Sequence, residues 1–243
     1  GITREIKEIN NLKIPLVIAS KGIDTKNNLL LEQINKINLP NCPTLILSGP
    51  GFAIDIANNL PTALTLAGKS NELLERVGHI MANNNFRPYY NSDLIGVQVG
   101  GALKNIIAIA TGVAMGKKLG DGAVASLVSR GINEIITFGV ALGANKDTFL
   151  GLSGLGDLVL TATNMKSRNT QLGFQIGSSN QFENKVENLT EGIYTTKAVY
   201  HMAKELNLSL PIIEGVYNII YNRHSVNDVI NLLLNRPLKK EYL

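Results

Sequence analysis

Two charged residues stand alone in apolar surroundings, and both are of types that handle protons. Between positions 94 and 116 the one charge is Lys104, set early in a helical pattern rich in Ile, Ala and Gly. Between positions 148 and 165 the one charge is Asp157, inside the run GLSGLGDLVLT. Burial disfavours an ammonium ion and lowers its pKa, which lets a lysine give or take a proton near neutral pH. Ala108 and Thr111, one and two helical turns on from Lys104, are small and leave room beside its side chain. A lone buried base and a lone buried acid cost least if they meet or share a ligand. The plainer alternative is a structural ion pair, which perturbs pKa values just as well.

Glycines crowd these two charges. Gly100, Gly101, Gly151, Gly154 and Gly156 suit close approach of backbone to a ligand, or equally tight helix packing. A third cluster, Ser167, Arg168 and Asn169, follows a short polar loop and opens a helix-like stretch. Serine at an N-cap with arginine beside it offers an anion pocket built from backbone N–H groups, the helix dipole and a forked guanidinium. A plain cap carrying a surface arginine satisfies the same pattern.

The elements that must hold these residues fall into two kinds. Short apolar runs at 14–20 (IPLVIAS), 44–48 (TLILS) and 62–67 (TALTLA) read as strands, separated by helical patterns at 27–37 and 70–81 and by a short helix before the third run. This alternation predicts buried parallel strands in an open α/β sheet, with ligands gathering at the strand ends SerLysGly (20–22) and SerGlyPro (48–50). After position 100 long helical patterns follow one another, at 102–115, 123–142, 195–206, 212–221 and 226–234, and no strand is expected after Val99. The expected division is an α/β domain over 1–98 and an all-helical domain over 99–243.

Composition bounds the remaining possibilities. With 44% hydrophobic and 17% charged residues, 243 residues can build one large or two moderate cores. No uninterrupted apolar run is expected to reach membrane-spanning length. The charge of +4 is modest and scattered, which suits small anions rather than nucleic acid. Cys42 is the only cysteine, so no internal disulfide can form and a reducing cytoplasm is expected. No metal site is expected.

The motifs GGALKN (100–105), GLSGLGDL (151–158) and SRN (167–169), preceded by SKG (20–22) and GPGFA (49–53) and followed by EGIYTTKAV (191–199), closely resemble bacterial NAD(P)-dependent glycerol-3-phosphate dehydrogenase, along the whole chain. The resemblance implies a Rossmann-like sheet, then a helical domain like that of 6-phosphogluconate dehydrogenase. It also implies reduction of dihydroxyacetone phosphate to sn-glycerol 3-phosphate with NAD or NADP as cofactor, for phospholipid precursor supply, and a homodimer without nucleic-acid partners. By the same resemblance Lys104 is the general acid and Asp157 the acid that accompanies it. Lys21, Gly49, Gly51, Ser167, Arg168 and Asn169 lie around the substrate, while Lys21, Ala53, Arg168, Leu189 and Glu191 lie on the cofactor side. Gly51 departs from the family pattern, which carries Ser or Thr there, so one hydroxyl contact is expected to be lost. No GlyxGlyxxGly turn precedes Lys21, so roughly ninety residues of the dinucleotide-binding half are expected to be missing, and with them the helix N-terminus that grips the cofactor's pyrophosphate. Two other readings stay open: a helical dimerisation or substrate-binding module without catalysis, and a related 3-hydroxyacid dehydrogenase.

Overall fold

The structure is a computed structural model that describes residues 5–6, 14–182, 190–238 and 240. A four-stranded sheet is built from β1 (Leu16–Ile18), β4 (Thr44–Ser48), β5 (Thr62–Ala67) and β6 (Phe86–Asn91), in the order β1-β4-β5-β6. Between β1 and β4 lie a two-stranded hairpin, β2 (Ile23–Asp24) with β3 (Leu29–Leu30), and helix α1 (Leu31–Asn38). Helix α2 (Ala53–Ala57) links β4 to β5, and α3 (Asn71–Met81) links β5 to β6.

The Rossmann-like sheet expected from the sequence is present, but one of its pairings is not parallel. β1 pairs with β4 and β5 with β6 in parallel, whereas β4 and β5 run antiparallel, with Ile46 opposite Ala67 and Ser48 opposite Thr65. The two connections differ in their helices: residues 49–61 between β4 and β5 include only the five-residue α2. The eleven residues of α3 rise about 16 Å, enough for the parallel return to β6.

Local chemistry sets other boundaries. The first helix begins at Leu31 rather than at position 27, because Asp24 accepts a hydrogen bond from the Asn27 backbone N–H at 2.9 Å and Asn28 takes a left-handed φ of 54°. Helix α3 starts where predicted, its first turn capped by Ser70, which accepts from the Leu73 N–H. Strand β6, FRPYYN, was not foreseen; its proline is tolerated because it lies on an edge strand.

The centre of the molecule is α4 (Leu94–Gly116), in which nearly every residue from Leu94 to Ala114 is buried. Asp93 caps it by accepting from the Gly96 N–H, and its other carboxylate oxygen accepts from Asn145 N–H. The first turns of α4 carry Leu94 and Val97 against Ile46 and Ala67 of the sheet. The opposite sheet face packs Leu45 and Leu66 on Leu74 of α3. Further along, α4 is surrounded by α5 (Asp121–Ala141), α6 (Asp157–Ala162), α7 (Arg168–Ser179), α8 (Glu191–Glu205) and α9 (Pro211–Ile220), with α10 (Val226–Leu234) packed outside α9. A 3-10 turn (Lys146–Leu150) and a π turn (Leu152–Gly156) lead into α6. Among the described residues no strand follows Asn91.

By length and composition alone, Leu94–Gly116 and Asp121–Ala141 could each cross a membrane, which corrects the expectation that no stretch reaches that length. Isolated polar residues such as Gln98, Lys104 and Thr111 break the apolar run without lowering its mean hydropathy enough. In the fold the most apolar part of the first helix is 94% buried by protein, as befits a core helix.

Glycine brings α7 against α4. A β-carbon on Gly112 would lie 2.2 Å from the Thr170 carbonyl oxygen, and one on Gly173 would lie 2.0 Å from that of Ile109. Gly116 and Gly177 repeat the arrangement one turn on. Two facing small-residue stripes therefore allow backbone-to-backbone contact and set where the start of α7 sits relative to Lys104.

Candidate active site

The two lone charges meet. Lys104 projects from α4 and donates through Nζ to Oδ1 of Asp157, the first residue of α6. The same ammonium donates to Oγ1 of Thr161 at 2.9 Å, four residues further along α6 and so on the same helix face. Lys21, just past β1, donates to the other oxygen of Asp157 at 2.8 Å and reaches the Gly49 carbonyl at 3.5 Å. Asp157 is 1% exposed, and both of its oxygens are engaged by cations. Two ammonium groups and one carboxylate leave a net positive charge, which favours an anionic ligand.

Burial pushes Lys104 down to about 8, opposed by the carboxylate of Asp157 and reinforced by the nearby charge of Lys21. An ammonium carries three hydrogens. Two go to Asp157 and Thr161, so one remains for an incoming oxygen.

The glycines around this centre divide by task. A β-carbon on Gly100 would fall 2.5 Å from the Ser153 carbonyl, and one on Gly154 would fall 2.1 Å from that of Phe149, so these two serve close packing. Gly101 instead faces Ser48 and the stem of Lys21. Gly156 lies under Pro50, and Gly151 meets only the Thr148 carbonyl. Gly49 needs its freedom, with a φ of +147°, and a β-carbon there would press on Leu64 of β5. Gly51 is packed as closely, against Thr62 and Leu64.

A second group of residues is anchored at the next residue of α4. Asn105 donates to Glu191, at the start of α8, across 3.4 Å. The next backbone N–H, of Gly192, donates to Oδ1 of Asn169 at 3.1 Å. Asn169 is thereby tied to the helix that bears Lys104. Ser167 is buried and caps α7 by accepting from the Thr170 N–H. Arg168 is exposed beside it and pairs with no acidic side chain among the described residues. Ala53 is exposed at the start of α2, a helix joined to the residues before α7 by the pair of exposed Lys166 and half-buried Asp55 at 3.7 Å. Leu189 lies outside the described residues.

The structure thus gathers Lys21, Gly49, Lys104 and Asp157 directly, and adds Asn169 and Glu191 through Asn105 and Gly192. Thr161 was missed by sequence reasoning. The four-residue spacing from Asp157 could have signalled it, since a threonine there shares the aspartate's helix face.

Comparison with known proteins places the chain in a family. The family model described as NAD-dependent glycerol-3-phosphate dehydrogenase C-terminus matches residues 93–231, and its N-terminus counterpart matches residues 1–74. The chain belongs to the NAD-dependent glycerol-3-phosphate dehydrogenase family. Within that family, it is 42% identical over 240 residues to glycerol-3-phosphate dehydrogenase [NAD(P)+] of Zymomonas mobilis, covering 98% of this chain and 70% of the relative. The Parvibaculum lavamentivorans protein of the same name is 41% identical, covering 93% of this chain and 69% of that one. Among solved structures, glycerol-3-phosphate dehydrogenase from Coxiella burnetii superposes with a TM-score of 0.92 at 33% identity, over 97% of this chain and 73% of that chain.

Proposed function

We propose that this chain reduces dihydroxyacetone phosphate to sn-glycerol 3-phosphate with NAD(P)H, supplying a phospholipid precursor. The observation that carries the reading is the buried Lys104–Asp157 pair, with one ammonium hydrogen left free, in a member of the glycerol-3-phosphate dehydrogenase family. With a pKa of about 8, Lys104 is largely protonated at neutral pH and can donate to a carbonyl oxygen. Asp157 cannot serve as a free base while both its oxygens hold lysines. Its work is to orient Lys104 and to favour its reprotonation after the proton leaves.

The cofactor supplies a hydride to the carbonyl carbon. Exposed polar groups beside the site support binding of a phosphate-bearing cofactor. Arg168 presents a guanidinium that pairs with no acidic side chain among the described residues, at a capped helix N-terminus, and Glu191 presents a carboxylate at the start of α8. Arg168, Glu191, Ala53, Leu189 and Lys21 are the residues proposed to hold NAD(P). Lys21, Gly49, Gly51, Ser167, Arg168 and Asn169 are proposed to hold the phosphorylated substrate beside Lys104 and Asp157. As the new O–H bond forms, Lys104 gives up its proton, and a proton from solvent restores it.

This reading also assigns residues 1–98 to the cofactor side and residues 99–243 to substrate binding, in a cytoplasmic homodimer. The deciding experiment is Lys104→Met, assayed by NADH oxidation with dihydroxyacetone phosphate. Turnover is expected to vanish with the helical circular dichroism intact, and activity within tenfold of wild type would refute the assignment. Activity with a 3-hydroxyacid and none with dihydroxyacetone phosphate would favour the hydroxyacid dehydrogenase reading.

A further inference from the structure

The last residue of β4 carries a polar atom that the fold leaves unused. Ser48 is 3% exposed, and its Oγ is buried without a hydrogen-bond partner among the described residues. A buried hydroxyl without a partner is costly, and the fold gains nothing internal from it. Its place in the structure suggests what it serves. Ser48 alternates with Ile46 on the sheet face that meets α4, and there it looks onto Gly101. A β-carbon on Gly101 would lie 2.6 Å from Ser48 Oγ and 3.5 Å from Cγ of Lys21. Any residue but glycine at this position would cover the hydroxyl. Ser48, Gly101 and the stem of Lys21 meet about one turn before Lys104 on α4, and Asn105, which holds Glu191, is the residue directly after Lys104.

We propose that the Ser48 hydroxyl binds the free hydroxyl of the three-carbon substrate, and so selects a hydroxymethyl ketone over a methyl ketone. The inference rests on the substrate proposed above. With the carbonyl at Lys104 and the phosphate toward Asn169, the remaining carbon of the substrate points back along α4 toward Gly101. From Gly101 to Asn105 is about 6 Å of helix axis, within reach of a three-carbon chain. Lys21 holds Asp157 with one of its hydrogens and the Gly49 carbonyl with another, and the Ser48 hydroxyl beside its stem is a further polar group without a partner among the described residues. A site built to hydrogen-bond a hydroxyl rejects the analogue that lacks it, because its own buried group is then left unpaired.

The test is Ser48→Ala in the full chain, with calorimetric binding of dihydroxyacetone phosphate and of its 1-deoxy methyl ketone analogue, alongside NADH oxidation where turnover occurs. The wild type is expected to bind the hydroxylated ligand at least about tenfold more tightly than the deoxy one. In the variant that preference is expected to fall to about twofold or less, with affinity for the deoxy ligand unchanged. The melting temperature of the variant is expected to stay level or rise, since it loses an unpaired buried hydroxyl. An unchanged preference, or equal weakening of both ligands with a lowered melting temperature, overturns the proposal. If the alanine variant does not fold, Ser48→Cys, close in shape and a poor donor, is read by the same ratio. A wild type that binds but does not reduce dihydroxyacetone phosphate defeats the reductase reading alone, leaving the binding ratio to decide this one. A wild type that binds neither ligand ends both.

Discussion

Asp157→Asn isolates the part of the site that sets the proton donor. The change keeps the side-chain shape but removes the one negative charge between Lys104 and Lys21. In the wild type, burial lowers Lys104 to about 8 while the carboxylate pulls the other way. With asparagine the raising influence is gone, and both burial and Lys21 then act in one direction. An opposite charge at hydrogen-bond range is worth about 1 to 3 pH units, so the titration moves from about 8 to roughly 6. At pH 7.5 the protonated fraction of Lys104 falls from about three-quarters to about three per cent. Loss of the donor form alone thus costs about 25-fold in the rate of ketone reduction. The measurement is kcat/KM for dihydroxyacetone phosphate between pH 5.5 and 9.5. The wild type should hold its rate to about pH 8 and decline above it, while the variant should begin to decline near pH 6 and recover much of its rate at the acid end. An alkaline limb that stays near 8 in the variant would refute the electrostatic role given to Asp157 and leave it only a geometric one.

Two further predictions concern the frame around the site. Gly173→Ala places a methyl 2.0 Å from the Ile109 carbonyl. Overpacking of this kind costs about 1 to 3 kcal/mol, more than the roughly 1 kcal/mol alanine returns in helix propensity. Denaturant unfolding should show the loss, and KM for the phosphorylated substrate should rise as Asn169 is displaced; a stabilised variant with unchanged KM would sink this account of the α4–α7 contact. Glu134, on α5, accepts from the backbone N–H groups of Ile212 and Ile213 at the start of α9, and burial pushes it up to about 7. Because the folded pKa is raised above the unfolded value near 4.5, the unfolded chain loses this proton first, and stability falls as pH rises from about 4.5 to about 7, by about 3 kcal/mol. Glu134→Gln should flatten that stretch of the profile in equilibrium unfolding, and parallel profiles would exclude Glu134 as its source.

Much of the candidate site can be read from residue order. A single ammonium in a helix as apolar as Leu94–Gly116 has to be buried, and the same holds for Asp157, because helical periodicity leaves no solvent face at those positions. The cap at Ser167 is equally local, since it needs only a serine before a helical stretch and the Thr170 N–H three residues on. Membership of the family is legible in the same way, through short ordered motifs. Lys21 could be singled out only through its motif, because in the chain it lies in an ordinary polar strand end.

What the tertiary structure decided is which of these groups share an atom. Lys21 and Asp157 are 136 positions apart, and only tertiary packing, which sets the residues past β1 within reach of the start of α6, brings both lysines onto one carboxylate. The reversal between β4 and β5 stays invisible in an apolar pattern that looks the same in either direction. The unused hydroxyl of Ser48 could not be read from sequence at all. Local sequence encodes whether a side chain is buried, because burial follows the period of the element. Its partner is chosen by how elements pack, and here facing glycines on α4 and α7 and the turn of the sheet make that choice.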